Sequence, residues 1–407
     1  MISPLSDVRV IDLAGESAVF AGRLLAQLGA EVIRVEPPGG SPVRERQPFL
    51  GGRAGPERSL YHQHYNAGKR GITLDYTSDR GAELLRELVS RSDMLIETAQ
   101  PGRMDELGLG FDALRGVNGA LLYGTVTPFG QAGPMAGYEA PDLVASAMSG
   151  LMFLNGYEGD PPNQPASEQA YHMASLALVS AVLIALVGRD RSTTATEGGA
   201  RIDVSIQEAA TMATHQNAPP NGYRWHGTIP GRRGMGSLSG TKNIHLCEDG
   251  RWINFVVPPY RWSAFVEWLA DEGIESEARR PEFHDRAYRT GRGSVISDAI
   301  AALVRRYDSE ALFHEGQRRR LLVMPVNDVA HLAADAQLNE RGFFTEVTDE
   351  ASGQSLVDAG PPVLFNGERP TVGQRAPALG EHNHEVYAEL LGLSEAELEA
   401  LRGEGVV

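Results

Sequence analysis

A single carboxylate, Glu168, lies just before the longest apolar segment of this chain. Ser167 precedes it, and an apolar helical pattern continues to Arg189. We expect a helix over 167–189 with Ser167 as its N-cap, because serine side chains accept hydrogen bonds from the first free N–H groups of a helix. The helix end also stabilises negative charge. Glu168 is therefore either a charge that only stabilises the helix or an ionised carboxylate poised to act as a nucleophile.

Short apolar strands alternate with helical patterns in the first part of the chain. Strand patterns at 8–13 and 31–36 flank a helical pattern at 20–28, and a second unit of this kind covers 71–97. The order strand–helix–strand predicts parallel strands joined by right-handed crossovers. These elements indicate a Rossmann-like α/β domain, whose turns would position the polar residues discussed below.

The composition restricts the partners and the location of the protein. The 407 residues carry a net charge of −16, which argues against nucleic acid or an anionic membrane as the main partner. The single cysteine, Cys247, excludes an internal disulfide and a multi-cysteine metal site, so we expect no metal. The apolar stretch 176–187 is too short to span a bilayer. The first residues lack a basic region followed by an apolar run, so we expect a cytoplasmic protein.

Six segments, spread over nearly the whole chain, carry a family pattern. They are VRVIDLAGESAVFAGRLLAQLGAEVIRVEPPGG at 8–40, the segment 66–110 with its turn ETAQPGRMDELG, DLVASAMSGLM at 142–152, GGARIDVSIQEA at 198–209, DAQLNERGFF at 335–344 and PALGEHNHEVYAELLG at 377–392. In this order they resemble the class III CoA-transferases. That family includes formyl-CoA, carnitine and benzylsuccinate CoA-transferases and alpha-methylacyl-CoA racemase.

The resemblance implies a fold and an assembly. It implies a large Rossmann-like CoA-binding domain formed by residues 1–216 and 325–407. It also implies a smaller α+β domain, 217–324, where glycine, proline and arginine accumulate in a glycine-rich loop. In such proteins two chains interlock as rings, so we expect a homodimer, or a heterodimer or heterotetramer with a homologous chain.

The resemblance also implies where coenzyme A binds as part of an acyl-CoA substrate. CoA phosphates require backbone N–H groups at helix starts and nearby basic side chains. The basic residue that relatives often have after the second strand is replaced here by prolines, and Arg44 and Arg46 are candidate substitutes. The residues that match the groove of the family are Glu16, Ser17, Leu74, Thr77, Thr98, Ala99, Gln100 and Arg103. Arg103 either meets a phosphate or lies in solvent.

The family transfers CoA through an enzyme carboxylate that attacks the thioester of an acyl-CoA. In this sequence the position of that carboxylate falls on Tyr171, and a phenol cannot exchange acyl groups in this way. Glu168 lies one helical turn earlier and is our catalytic candidate. Tyr171 and His172 either shape the pocket or serve only in packing.

The glycine-rich loop over 230–240 resembles the mobile loop that covers the active site in relatives. We expect Arg232, Arg233, Gly234 and Gly236 to contact substrate there. The two arginines would suit a dicarboxylic acid, since guanidinium groups bind carboxylates through paired hydrogen bonds. The alternative is a basic loop on the surface.

Three functions follow from the resemblance. The first is a class III CoA-transferase, or a subunit of one, that moves CoA between organic acids. The second is a catalytically silent subunit that pairs with a homologue bearing the missing aspartate, as in the benzylsuccinate type. The third is an acyl-CoA racemase or isomerase, which is disfavoured because Pro141 stands where relatives of that type have a histidine base.

Overall fold

The computed structural model describes residues 3–55, 57–157, 159–190, 198–214, 218–229, 231–232, 241–349, 353–370 and 374–407. The strands are β1 Arg9–Asp12, β2 Glu31–Glu36, β3 Arg70–Thr73, β4 Met94–Glu97, β5 Leu122–Thr127, β6 Ala200–Ser205, β7 Ile244–Leu246, β8 Trp252–Val256, β9 Leu322–Pro325, β10 Phe344–Asp349 and β11 Gln354–Ala359. The helices are α1 Val19–Gln27, α2 Leu60–Asn66, α3 Asp79–Ser90, α4 Arg103–Glu106, α5 Phe111–Val117, α6 Asp142–Met148, α7 Leu151–Leu154, α8 Gln169–Asp190, α9 Ile206–Thr214, α10 Ala218–His226, α11 Trp262–Asp271, α12 Arg286–Arg289, α13 Gly293–Val304, α14 Ser309–Arg318, α15 Val329–Ala333, α16 Ala336–Glu340 and α17 Glu395–Gly403.

The first six strands form one parallel sheet in the order β3-β2-β1-β4-β5-β6. This is the strand order of the Rossmann fold, in which the chain direction across the sheet reverses between β1 and β4. The prediction of a Rossmann-like α/β domain is therefore confirmed.

Both faces of this sheet are buried, as expected for parallel strands. Val10 and Ile96 belong to a core on one face that includes residues of α1, α6, α8 and α9. Their neighbours Ile11 and Leu95 belong to a core on the other face that includes residues of α3, α5 and α17. Consecutive strand residues point to opposite faces, which explains why β1 and β4 are apolar throughout most of their length.

The chain divides into two compact units. The larger comprises 1–151, 164–228 and 340–407, and the smaller comprises 152–163 and 229–339. The smaller unit has an antiparallel sheet in the order β7-β8-β9, and its core includes residues of α11, α13 and α14. The predicted division was at 217 and 325. The smaller unit found here begins later, at 229, extends to 339 and includes 152–163.

Helix α8 has 22 residues and is therefore longer than the apolar stretch 176–187 that the sequence analysis considered as a possible membrane span. An 18-residue window within Gln169–Arg189 has a mean hydropathy of 2.1, and no other helix in the described parts of the chain is long and apolar enough to cross a membrane. Ala170, Ala174, Leu178 and Val182 are nevertheless fully buried within the larger unit. The helix is therefore a core helix of the fold.

Three charged side chains are buried together below the turn that follows β1. Asp12 and Lys69 are almost fully buried, and Lys69 Nζ donates to Asp12 Oδ2 at 2.8 Å. The same ammonium donates to the carbonyl of Val19 and to Asn66 Oδ1, both at 3.0 Å. Arg34, from the neighbouring strand β2, lies 3.2 Å from Asp12 Oδ1. That oxygen also accepts the N–H of Ala14 at 2.9 Å, so the cluster fixes the start of the β1–α1 loop.

We predict that Lys69→Met lowers the free energy of unfolding by about 2–4 kcal/mol, because it leaves a buried carboxylate with only one cation. Urea denaturation of the full chain measures this effect. The matched control is Arg80→Met, which breaks an exposed pair with Glu83 and should cost about 0.5 kcal/mol or less. A cost for Lys69→Met as small as that of the control would contradict the structural role of the cluster.

Candidate active site

The loops after β1 and β4 meet at the point where the sheet reverses direction. The Gly15 N–H donates to Thr98 Oγ1 at 2.8 Å. A Cβ atom at Gly15 would lie 3.1 Å from that oxygen, so glycine permits the close approach of the two loops. Ligands of open α/β sheets bind in the crevice at this place. The structure thus brings together four of the predicted groove residues, which are Glu16, Ser17, Thr98 and Ala99.

A buried carboxyl group supports the loop after β4. Glu97 is 4% exposed, and its Oε2 accepts the N–H of Ala99 at 2.6 Å. Burial raises the pKa of Glu97 to about 7, because the charged form is poorly solvated there. Gln100 and Arg201 line a small cavity beside this group. The loop that carries Thr98–Gln100 therefore rests on a group that titrates near neutral pH.

The carboxylate of Glu168 is held by two side chains from the segment after β2. Arg46 forms an ion pair with Glu168 Oε1, and the hydroxyl of Tyr61 donates to Glu168 Oε2 at 2.6 Å. Arg46 also pairs with Glu16 at 2.6 Å, and its guanidinium lies 4.7 Å from the ring centre of Tyr61. The Glu168 side chain is 18% exposed. Glu168 thus lies in the same cluster as Glu16, next to the crevice, with both carboxylate oxygens engaged.

The start of α8 differs from the sequence prediction. The carbonyl of Glu168 accepts the N–H of His172 at 3.0 Å, which makes Glu168 the N-cap residue. Ser167 has a φ of 61° and lies outside the helix, so the prediction of Ser167 as N-cap is wrong. The N–H of Tyr171 is bound instead by Asp142 Oδ1 of α6 at 3.0 Å. A carboxylate distant in sequence therefore replaces the expected local cap.

Aromatic side chains surround this helix start. The Tyr65 hydroxyl lies 2.6 Å from His172 Nε2, and Phe20 packs edge-on against both rings. Burial lowers the pKa of His172, which favours the uncharged ring. The Nε2 atom of an uncharged ring can accept a hydrogen bond from the Tyr65 hydroxyl. Burial also raises the pKa of Tyr171 to about 12. Tyr171 is therefore an uncharged phenol at neutral pH.

The remaining predicted groove residues are engaged elsewhere. The side chain of Leu74 is fully buried in the core, and Thr77 donates from both its N–H and its hydroxyl to Asp75 Oδ1. Arg103 is half exposed and pairs with Glu106 at 3.0 Å. Arg44 is buried in ion pairs with Glu36 and Glu57. Arg44 is therefore unsuited to replace the missing phosphate ligand, whereas Arg46 lies beside the crevice.

The predicted substrate residues lie in or near the smaller unit. Arg232 donates to the carbonyl oxygens of Phe153, Tyr157 and Asp160 at 3.2, 3.2 and 2.7 Å. Its guanidinium thus holds the segment 153–160. Arg233, Gly234 and Gly236 lie outside the described residues. Within the described ranges, no three His, Cys, Asp or Glu side chains are grouped so that they could hold a metal ion.

The sequence analysis missed Tyr61 and Tyr65. The sequence LYHQHYN could have indicated them, because its two tyrosines are four residues apart and therefore share one face of a short helix. Their relation to Glu168, more than 100 residues away, depends on tertiary packing and has no local signature.

Comparison with known proteins assigns the chain to one family. Residues 5–383 match the model of CoA-transferase family III. The chain belongs to this family, whose members use CoA thioesters as substrates. The prediction of a class III CoA-transferase, or a subunit of one, is confirmed.

Individual relatives agree with this assignment. The chain is 35% identical to the BbsE subunit of succinyl-CoA:(R)-benzylsuccinate CoA-transferase from Thauera aromatica, with 94% of this chain and 93% of the relative covered. It is 30% identical to the alpha subunit of succinyl-CoA–L-malate CoA-transferase from Chloroflexus aurantiacus, with 99% and 92% covered. The crystal structure of a CAIB/BAIF family protein from Brucella suis superimposes with a TM-score of 0.83 at 27% identity, covering 96% of this chain and all of that one.

We predict that Glu97 makes stability fall as the pH rises. Its folded-state pKa, about 7, lies above the usual value of 4.5, so the stabilising protonated form is lost between these two values. The free energy of unfolding should fall by about 2 kcal/mol more in the wild type than in Glu97→Gln between pH 5 and pH 8. Urea titrations at both pH values measure this. Parallel pH dependence in the two proteins would contradict the burial of a titrating carboxyl group.

Proposed function

We propose that this chain is a subunit of a hetero-oligomeric family III CoA-transferase and that a homologous partner chain supplies the nucleophilic carboxylate. One observation carries the proposal. Tyr171 occupies the position at which the family resemblance expects the nucleophile, and the carboxylate nearest to it in sequence, Glu168, has both oxygens bound by Arg46 and Tyr61. Hydrogen bonds of this kind stabilise the charge on a carboxylate and so oppose its attack on a thioester.

The names of two relatives favour an assembly of unlike chains. The relatives from Thauera aromatica and Chloroflexus aurantiacus are both named as subunits of their enzymes. Both are also named for succinyl-CoA, so we propose a dicarboxylic acyl-CoA as the CoA donor. Arg232 gives this no support, since its guanidinium is bound to backbone carbonyls. A cytoplasmic location remains a prediction.

An apolar surface on the larger unit supports association with another chain. Helices α6, α8 and α9 pack on one another. Large apolar side chains are nevertheless exposed on all three, namely Leu143, Val144, Met148, Leu176, Ile184, Val187 and Met212. Several large apolar side chains exposed on neighbouring helices are typical of protein interfaces. We propose that the homologous partner covers it in an interlocked assembly.

The crevice between the β1 and β4 loops is the proposed contribution of this chain to CoA binding. The β1–α1 loop leads to the N-terminal end of α1, where the positive end of the helix dipole favours phosphate. Thr98 aligns the two loops, and Arg46 is the basic side chain nearest to Glu16 among those that we have described. In this proposal the chain binds and orients the thioester, while the partner carries out acyl exchange.

A second candidate is catalysis by this chain alone through Glu168. The position of Glu168 at the start of a long helix, largely shielded from water, favours it. An acyl-CoA racemase or isomerase is disfavoured, because Pro141 stands at the position of the expected base and Asp142 caps α8.

We predict that the purified chain alone shows no CoA exchange between succinyl-CoA and an acceptor acid, and that exchange appears when the homologous partner is present. Native mass spectrometry of the complex from its source identifies the partner and any bound nucleotide. In the active complex Glu168→Gln should retain most of the activity, as should the control Glu83→Gln on the exposed face of α3.

Two results would overturn the proposal. One is exchange by the lone chain that falls about a thousandfold in Glu168→Gln, together with conversion of the Glu168 side chain to its hydroxamate when hydroxylamine displaces CoA from an enzyme thioester formed with acyl-CoA. This pair of observations would establish the second candidate. The other is the isolation of a native complex that contains no homologous chain.

We predict that Ile184→Glu weakens the assembly, because it places a charge on the apolar surface of α8, where Ile184 is 73% exposed. The dissociation constant measured by analytical ultracentrifugation should rise about tenfold or more. Val329→Glu, at an equally exposed apolar residue of the smaller unit, is the control. Equal assembly of both variants and the wild type would argue against this interface.

A further inference from the structure

The smaller unit contains a cavity of about 410 Å³ that the CoA-transferase assignment does not explain. Its lining combines apolar side chains with two arginines, and includes Val256, Val257, Trp262, Ile296, Arg286 and Arg289. Among the described residues, no aspartate or glutamate lines it. Ligand pockets in proteins have this size and this mixture of apolar walls with few polar groups.

Arg289 is buried and forms no ion pair with a carboxylate of the described residues. It is 8% exposed, its Nη1 donates to the carbonyl of Phe283 at 2.7 Å, and its guanidinium lies 4.5 Å from the ring centre of Trp262. Within the described parts of the chain, neither Arg289 nor Arg286 forms an ion pair, whereas Arg279 and Arg280 pair with Glu275 and Glu277. Burial lowers the pKa of Arg289, although the charge of nearby Asp285 acts to raise it. Both arginines can therefore pair with a bound anion.

Trp262 also has an unused donor. The residue is 4% exposed, and its indole Nε1–H has no acceptor among the described residues. A buried donor usually has a partner in the protein or in a bound molecule. Trp262 thus adds a second polar group that an acceptor in the cavity would satisfy.

We infer that this cavity binds an organic carboxylate with an aromatic or branched apolar body. The two arginines supply positive charge within a chain whose net charge is −16, and a planar guanidinium matches a carboxylate. The valines, Ile296 and the Trp262 ring supply apolar walls for the rest of the ligand. All these residues belong to the smaller unit and none of them belongs to the loops after β1 and β4, so the inference does not depend on the proposed function.

The test uses benzoate as the probe and the full chain as the protein. Calorimetric titration should show saturable binding of benzoate, and the neutral analogue benzyl alcohol should bind about tenfold or more weakly because it lacks the charge. Inorganic phosphate should compete poorly, since it has no apolar body. No saturable binding of benzoate, or equal binding of benzyl alcohol, would overturn the inference.

Variants of the residues that line the cavity test whether benzoate binds there. Arg286→Gln, at an exposed residue on the rim, should weaken benzoate binding about fivefold or more, and Thr290→Trp should block the cavity. The control Arg292→Gln removes a neighbouring exposed arginine that does not line the cavity. A second control, Arg46→Gln, removes the arginine that pairs with Glu168 in the larger unit, and both variants should bind as the wild type does. Thermal unfolding of each variant confirms folding. Unchanged binding in Arg286→Gln and Thr290→Trp, or loss of binding in Arg46→Gln, would show that the cavity is not the site.

Discussion

The ion cluster of Asp12, Lys69 and Arg34 is the constraint on which the rest of the larger unit depends. Charges removed from water are costly unless each is paired and hydrogen-bonded. Here Lys69 binds Asp12, the backbone at the start of α1 and Asn66 in α2, while Arg34 joins β2 to the same carboxylate. The cluster therefore connects two strands and two helices directly below the β1–α1 loop. Any displacement of that loop would leave a buried charge unpaired.

From this fixed loop a chain of polar contacts leads to the start of α8. Gly15 binds Thr98 across the crevice, and Glu16 binds Arg46, which in turn binds Glu168. One guanidinium thus serves two carboxylates that come from segments about 150 residues apart. The position of Glu168 is set by the β1–α1 loop and by the segment after β2, as well as by its own helix. This explains how a site assembled from distant segments can have a defined geometry.

Hydrophobic patterns in the sequence predicted the strands and helices whose formation depends mainly on residues close together in the chain. The apolar strands 8–13 and 31–36 with a helix between them predicted parallel pairing, and β1 and β2 pair in parallel. The N-cap at Ser167 was predicted from residue type alone and is wrong, because Asp142 of another helix binds the N–H that a local cap would bind. Arg44 was likewise predicted as a candidate phosphate ligand but is buried in ion pairs with two glutamates. Such long-range pairs leave no periodic signal, so sequence reasoning could place the Glu168 region but could not foresee its partners.

The same long-range pairs give the physical argument about catalysis. A helix N-terminus can stabilise the charge on a reacting carboxylate or on a tetrahedral intermediate through its free N–H groups. At α8 the N–H of Tyr171 is bound by Asp142, and the carboxylate of Glu168 is bound by Arg46 and Tyr61. The electrostatic stabilisation available at this helix end is therefore directed to internal carboxylates. Acyl exchange at Glu168 would first have to break a hydrogen bond and an ion pair in a site that is largely shielded from water. A partner chain that carries a free carboxylate avoids that cost, which is why we place the reaction there.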